Sequence, residues 1–296
     1  QEIKRLQQEE LLKDNLLVRV HRVLLPVRKR DLSQASLSKM IEARILERIG
    51  RKTDLDVTLL TISDEKDKAE SQQFLNTLAS FFTKFPVTKK IAEGKNTLES
   101  ILDEVKKNYD LIIIGATERQ KNSDMLFNPI VDNVVRLSPC PTIVVQSSNV
   151  AEDWRPSRIL VPTNGSLASK RAAEVAFGIA YNEQDEVHIL NVVESKDNFA
   201  ALDLEGSSIE RRLTFAHQIV SELGKLGESL KVNTFTDVEI GEDPDKIILK
   251  TSKEKKFDLI ILGTDIRPGT DKLYLGPRVE KILNNCTCPV LVVNGT

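Results

Sequence analysis

The stretch GTDIRPGTDKLYLGP, Gly263 to Pro277, joins the apolar run FDLIILG to the helix-forming RVEKILNN and holds the residue types that grip phosphate. A glycine after a buried strand lets backbone amides approach an anion, Arg267 can meet it directly, and Gly276 stands where a helix begins. Pro277 follows where a hydroxyl would complete the cradle, and it removes a backbone N–H as well, although proline suits a first helical turn. A second basic cluster, Arg28, Lys29 and Arg30, follows the run RVLLPV and reads equally as an anion contact or a solvated turn.

Other chemistries find less material. His21, His188 and His217 have neither metal-ligand spacing nor an evident catalytic partner, so structural histidines are expected. Cys286 and Cys288 form a C-x-C with no second Cys or His pair to complete a tetrahedral site, and Cys140 and Cys288 are expected as small core residues before a strand. The sequence shows no nucleophile elbow, no complete Walker loop and no carboxylate pair of clear geometry, which points to binding rather than catalysis. Its 42 Lys and Arg against 44 Asp and Glu leave a net charge of −2, no electrostatic reason to expect nucleic acid. No apolar run approaches the ~20 residues that cross a bilayer, so a soluble, cytoplasmic chain is expected, and three cysteines without framework spacing suit a reducing interior.

The elements that must position these residues come in two copies. YDLIIIGATERQKNSDMLFNPIVDNVVRLSPCPTIVV aligns with FDLIILGTDIRPGTDKLYLGPRVEKILNNCTCPVLVV: Gly115 with Gly263, Pro129 with Pro277 and Cys140 with Cys288, each pair 148 residues apart. RVLLPV around Pro26 matches RILVPT around Pro162, and the surplus of the second copy falls in the polar ESKDNFAALDLEGSSIERR. Each copy alternates short β-branched apolar runs with amphipathic helical segments, the pattern of buried parallel strands in a doubly wound α/β sheet. With 296 residues, two domains each burying its own core are expected: a solvated linker helix over 1–17, one domain over 18–148 and another over 149–296, with Trp154 plugging the seam. The glutamine at position 1 suggests a piece of a longer polypeptide. Ligands of such sheets bind beyond the carboxyl ends of the strands, here PTNGS, NVVES and GTDIRPG.

In this order the segments ILVPTNGS, HILNVVES, DVEIGEDPDKIIL, DLIILGT, LGPRVEKIL and CPVLVV resemble the universal stress protein family. VLLPV, AEGKNTLESIL, YDLIIIGAT and CPTIVV extend the resemblance through the first copy, so the chain is similar to a tandem of that family. The resemblance implies two flavodoxin-like (adenine nucleotide alpha hydrolase-like) domains, each a five-stranded parallel sheet with helices on both faces, paired through their last strands. Members that bind ATP carry after the fourth strand a glycine, two residues, a second glycine, nine residues, then glycine and Ser or Thr. Copy two keeps Gly263 and Gly276 but has Ile266 and Pro277 at the other positions; copy one keeps only Gly115, with Glu118 and Asn128 replacing glycines. The family's acidic residue after the first strand corresponds to Asn164 in copy two and Arg28 in copy one.

The resemblance thus implies an adenine nucleotide on Pro162, Thr163, Asn164, Val192, Gly263, Thr264, Asp265, Arg267, Gly276, Arg278 and Val279, with Arg28 and Gly115 as the copy-one candidates. The loss of the hydroxyl favours ADP, AMP or cyclic di-AMP over the triphosphate of ATP, and the two adenines of cyclic di-AMP match two pseudo-equivalent clefts in number. Only incidental slow ATP hydrolysis is allowed for. Gly263→Val is expected to block backbone approach to the ligand and leave the fold intact. The resemblance also implies an upstream membrane transporter in the same polypeptide, a cation/proton antiporter before an amino-acid permease or chloride channel, with a homodimer as a further partner. The second expectation is a ligand-free structural or dimerisation module, or a free-standing tandem stress-response protein.

Overall fold

The computed structural model describes residues 15–29, 41–50, 54–94, 96–116, 127–146, 150–151, 153–180, 183–195, 209–265, 273 and 275–295. In the first copy, β1 (Arg22–Pro26), α1 (Ile41–Ile49), β2 (Asp56–Ser63), α2 (Lys68–Ala79), β3 (Val87–Glu93), α3 (Thr97–Val105), β4 (Leu111–Ala116), α4 (Pro129–Leu137) and β5 (Thr142–Gln146) alternate. The second copy repeats the series as β6 (Arg158–Pro162), α5 (Leu167–Ile179), β7 (Glu186–Glu194), α6 (Ile209–Ser229), β8 (Asn233–Gly241), α7 (Pro244–Glu254), β9 (Leu259–Thr264), α8 (Pro277–Asn285) and β10 (Val290–Asn294).

All strands join one ten-stranded sheet in the order β3-β2-β1-β4-β5-β10-β9-β6-β7-β8. Pairing is parallel within each copy, and the seam is antiparallel, with Val290 opposite Gln146 and Asn294 opposite Thr142. The last strands therefore pair as expected. Each half has the order 3-2-1-4-5, distinct from flavodoxin's own 2-1-3-4-5 within the same doubly wound class, so strand order reverses between β1 and β4 and between β6 and β9.

The expectation of two separate cores is corrected. Along the seam Ile143, Val145, Leu291 and Val293 face one side, while Val144, Val290 and Val292 face the other. The sheet continues without a break, so each face carries one core through both copies: Leu25, Ile45 and Leu59 cluster with Val161, Phe177 and Ile189, and Leu24 and Ile112 with Leu160 and Ile260 across the sheet.

The repeat extends to side chains that neither copy's apolar pattern reveals. Asp110 Oδ2 accepts the N–H groups of His21 (3.0 Å) and Arg22 (2.8 Å), and Asp258 Oδ2 accepts that of Arg158 (2.9 Å). Arg22 lies over the Tyr109 ring at 4.9 Å and Arg158 over Phe257 at 5.5 Å, so each copy anchors the head of its first strand in one way. Burial raises the Asp258 carboxyl pKa, against the backbone N–H bonds it accepts.

Side chains also cross the seam. Arg48 of α1 pairs with Asp185, just before β7, at 2.6 Å, and both are buried. Trp154 donates from Nε1 to the Asp258 carbonyl at 3.1 Å while its own carbonyl accepts from Arg44, which places the tryptophan at the seam as expected. The solvated linker is corrected at its described end. Residues Leu16–Arg19 form a short 3-10 turn capped by Asn15; Leu16 and Leu17 are buried, and the Leu16 N–H donates to Glu174 Oε2 of α5 at 2.8 Å. The turn packs so closely on α5 that a side chain at Gly178 would strike Leu17.

Candidate functional site

Two clefts lie at the carboxyl ends of the strands, one per copy. Because the seam is antiparallel, they open at opposite edges of the sheet, separated by at least the length of a five-residue strand, about 17 Å.

The copy-one cleft, of ≈ 240 Å³, is lined by Pro26, Arg28, Thr61, Gly115 and Asn128 among others. Arg28 and Gly115 therefore meet in one cleft. Glu42 of α1, buried, comes so near Gly115 that a Cβ there would lie 2.9 Å from its Oε1. At the head of α4, Asn128 Oδ1 accepts the N–H groups of Ile130 and Val131, each at 3.0 Å. The residue that replaces the loop glycine thus occupies the helix amides from which an anion would otherwise accept.

The copy-two cleft, of ≈ 530 Å³, is lined by Asn164, Asn191, Val192, Glu194, Phe215 and Arg278, with Arg211 and Arg212 from the start of α6. Of the expected copy-two residues, Asn164, Val192 and Arg278 come together there. Arg278 pairs with Glu194, and Arg212 Nη1 donates to the Glu194 carbonyl at 2.9 Å. Phe215 is 62% exposed. The head of α8 differs from that of α4: Gly276, at φ +95°, is its cap residue and supplies no side-chain hydrogen bond. Guanidinium groups, an uncapped helix start, an open aromatic ring and two side-chain amides suit a ligand that is anionic at one end and aromatic at another.

The other expected residues are placed differently. Pro162 ends β6, and Asp265, just past β9, is exposed. Thr163 is buried, its hydroxyl 2.9 Å from Ser169 Oγ and accepting from Gly165 N, while Asn164 Oδ1 accepts from Ser166 N at 3.1 Å in an Asx turn. Thr264 is buried, with its hydroxyl on the Leu275 carbonyl at 3.3 Å, and Val279 packs against the core. Arg267 and Ile266 lie outside the described residues, as does Glu118.

Gly263 is corrected in its reason. A Cβ there would collide with the Ala168 carbonyl and lie 2.6 Å from Ser169 N, so the missing side chain admits the α5 backbone. Gly263→Val cannot spare the fold.

Sequence reasoning passed over Arg211, Arg212 and Phe215. Their signal was the paired arginine in SSIERRLTF, where the polar insertion meets a helix-forming segment. It also passed over the capping role of Asn128, for which Asn-Pro ahead of an apolar helical stretch was the signal.

Among the described residues no group of three or more His, Cys, Asp or Glu could hold a metal ion, and no helix is long and apolar enough to cross a membrane. His188 Nε2 meets Glu186 Oε2 at 3.0 Å and its ring stacks on Phe235 at 4.7 Å, the structural placement expected; His217 is exposed on α6. The His188 hydrogen bond, more than the neighbouring Arg158, lowers the Glu186 carboxyl pKa.

The universal stress protein family pattern matches residues 20–146 and 156–294. A universal stress protein of Methanocaldococcus jannaschii is 32% identical over 139 residues, 46% of this chain and 81% of its own length. The universal stress protein E homolog of Haemophilus influenzae is 27% identical over 241 residues, 77% of this chain and 75% of its own. Among solved structures, a universal stress protein from Archaeoglobus fulgidus superposes with a TM-score of 0.60 at 18% identity, covering 93% of this chain and 98% of that one. The cytoplasmic domain of a prokaryotic cation chloride cotransporter superposes with a TM-score of 0.59 at 11% identity, covering 93% and 95%. With the family pattern matched in both halves of a continuous sheet, the chain belongs to the universal stress protein family, as a tandem of two of its domains.

Proposed function

We propose that this tandem is a non-enzymatic regulatory module that binds an adenine nucleotide in its copy-two cleft and controls a membrane transporter attached in the same polypeptide, a cation/proton antiporter before other classes. The observation that carries the binding reading is Arg278, at the uncapped head of α8, paired with Glu194 in a cleft that also holds Arg211, Arg212 and Phe215. A phosphate would displace the Glu194 carboxylate from Arg278 and take over its charge-assisted hydrogen bonds, while Phe215 offers the base a stacking face. Glu194 ends β7, so its release alters the edge of the sheet where the ligand sits. ADP, AMP and cyclic di-AMP suit the proline-led start of α8 better than ATP, because Pro277 offers no N–H to a third phosphate.

The likeness to a cotransporter's cytoplasmic domain supports the transporter reading. A ligand would then act by preferring one of two arrangements of the tandem. Copy one, its helix head closed by Asn128 and Glu42 lying against Gly115, supports the ligand-free structural role for that half.

The test is thermal unfolding with ATP, ADP, AMP and cyclic di-AMP. A ligand at ~100 times its Kd is expected to add ~2.7 kcal/mol. Arg278→Gln is expected to weaken binding roughly 10- to 100-fold, the loss of one charge-assisted bond of ~1.5–3 kcal/mol. No shift with any of the four at millimolar concentration overturns the binding reading. The transporter reading stands or falls separately, on whether the full reading frame encodes apolar membrane-spanning helices ahead of Gln1.

A further inference from the structure

At the end of α8 the chain turns through Cys286, Thr287 and Cys288 into β10, and the two sulfurs approach to 3.3 Å. The Cys286 N–H donates to the Ile282 carbonyl at 2.9 Å, fixing the turn at its helical side, and Pro289 and β10 fix it at the other. Copy one holds the corresponding turn, with serine in place of the first cysteine and Pro139 in place of Thr287. There Ser138 stands 148 residues before Cys286, its hydroxyl lies 3.6 Å from Cys140 Sγ, and it bonds the Cys140 carbonyl at 2.8 Å. The approach of the side chains is thus a property of the turn, and copy two alone has put two thiols into it.

We propose that Cys286 and Cys288 are a redox-active dithiol, oxidised to an intramolecular disulfide by hydroperoxides, with Cys286 the attacking sulfur and Cys288 the resolving one. The sulfurs must close by roughly 1.2 Å to reach the ~2.05 Å of a disulfide. The Cys286 thiolate attacks the terminal oxygen of the hydroperoxide; the S–O bond forms as the O–O bond breaks, and the alcohol or water departs with a proton from solvent. The Cys288 thiol then attacks the sulfenic sulfur, the S–S bond forms, and hydroxide leaves as water with the Cys288 proton. Two electrons pass from the two thiols to the peroxide.

The roles follow from the environment. The hydrogen bond from Cys288 lowers the Cys286 thiol to about 7, while the same contact and burial push Cys288 up. Cys140 is pushed up by burial and has no thiol partner in its turn. The lowered Cys286 thiol therefore holds more thiolate at neutral pH than Cys288 or Cys140, which makes it the attacking sulfur.

The test is intact-mass and thiol counting after treating the full chain with hydrogen peroxide. The wild type is expected to lose the mass of two hydrogens and two titratable thiols, recovered by dithiothreitol, with Cys140 unmodified. Cys288→Ser is expected to stop at a sulfenic acid that dimedone captures. Cys286→Ser places at 286 the residue that copy one carries at 138, so it is expected to fold and to react several-fold more slowly at pH 7. Failure of the wild type to form the internal disulfide overturns the proposal, as does equal reactivity of Cys286→Ser. The same readouts hold whether or not a nucleotide binds, so the two proposals fail independently.

Discussion

At Gly263 the place of the missing side chain is taken by the Ala168 carbonyl of α5. Both a phosphate and a helix backbone need the same absent Cβ, so the glycine was legible in the sequence and its reason was not. Gly263→Ala is expected to destabilise the chain by about 3 kcal/mol, the upper range of overpacking, because the clash is with backbone that cannot rotate away. Urea denaturation measures this, and a loss below ~0.5 kcal/mol would mean that α5 yields easily. Arg278 was legible as the residue following the altered loop, whereas its partner Glu194 was not, since a contact spanning two strand ends leaves no mark in local spacing.

Among the elements, the contrast between α4 and α8 separates the two copies. Asn128 accepts two amides at the head of α4, and Gly276 leaves those of α8 without a side-chain cap. Asn128→Ala is expected to lower stability by about 1 kcal/mol, the typical worth of such a cap. Chemical denaturation of the two proteins side by side checks it; an unchanged midpoint would show that the cap contributes nothing. Strands and helices were legible where apolar period and flanking Gly and Pro agree, as in RVEKILNN, all of which lies within α8. The arginines that line the copy-two cleft sit in the first turn of α6, where the local pattern marks a helix but not what its polar face meets.

On the scale of the whole molecule, the tandem and its pairing through β5 and β10 followed from the repeat, but the sharing of cores did not, because periodicity records which face is apolar and not what covers it. Arg48 and Asp185 are 137 residues apart and buried together. Arg48→Ala is expected to cost about 3–5 kcal/mol, the penalty of stranding a buried charge. With both cores crossing the seam, calorimetry of wild type and variant alike is expected to show one cooperative transition; two resolved peaks would mean that the halves unfold apart. The antiparallel seam has a consequence for how such a chain can change. In a twofold dimer of identical subunits every substitution appears at two places at once, so no site can be altered alone. Once the two strands of the seam belong to one polypeptide, that constraint lapses, and serine at 138 with cysteine at 286, or asparagine at 128 with glycine at 276, can coexist across a single axis. Symmetry of shape is kept while symmetry of chemistry is given up, and each half is free to specialise.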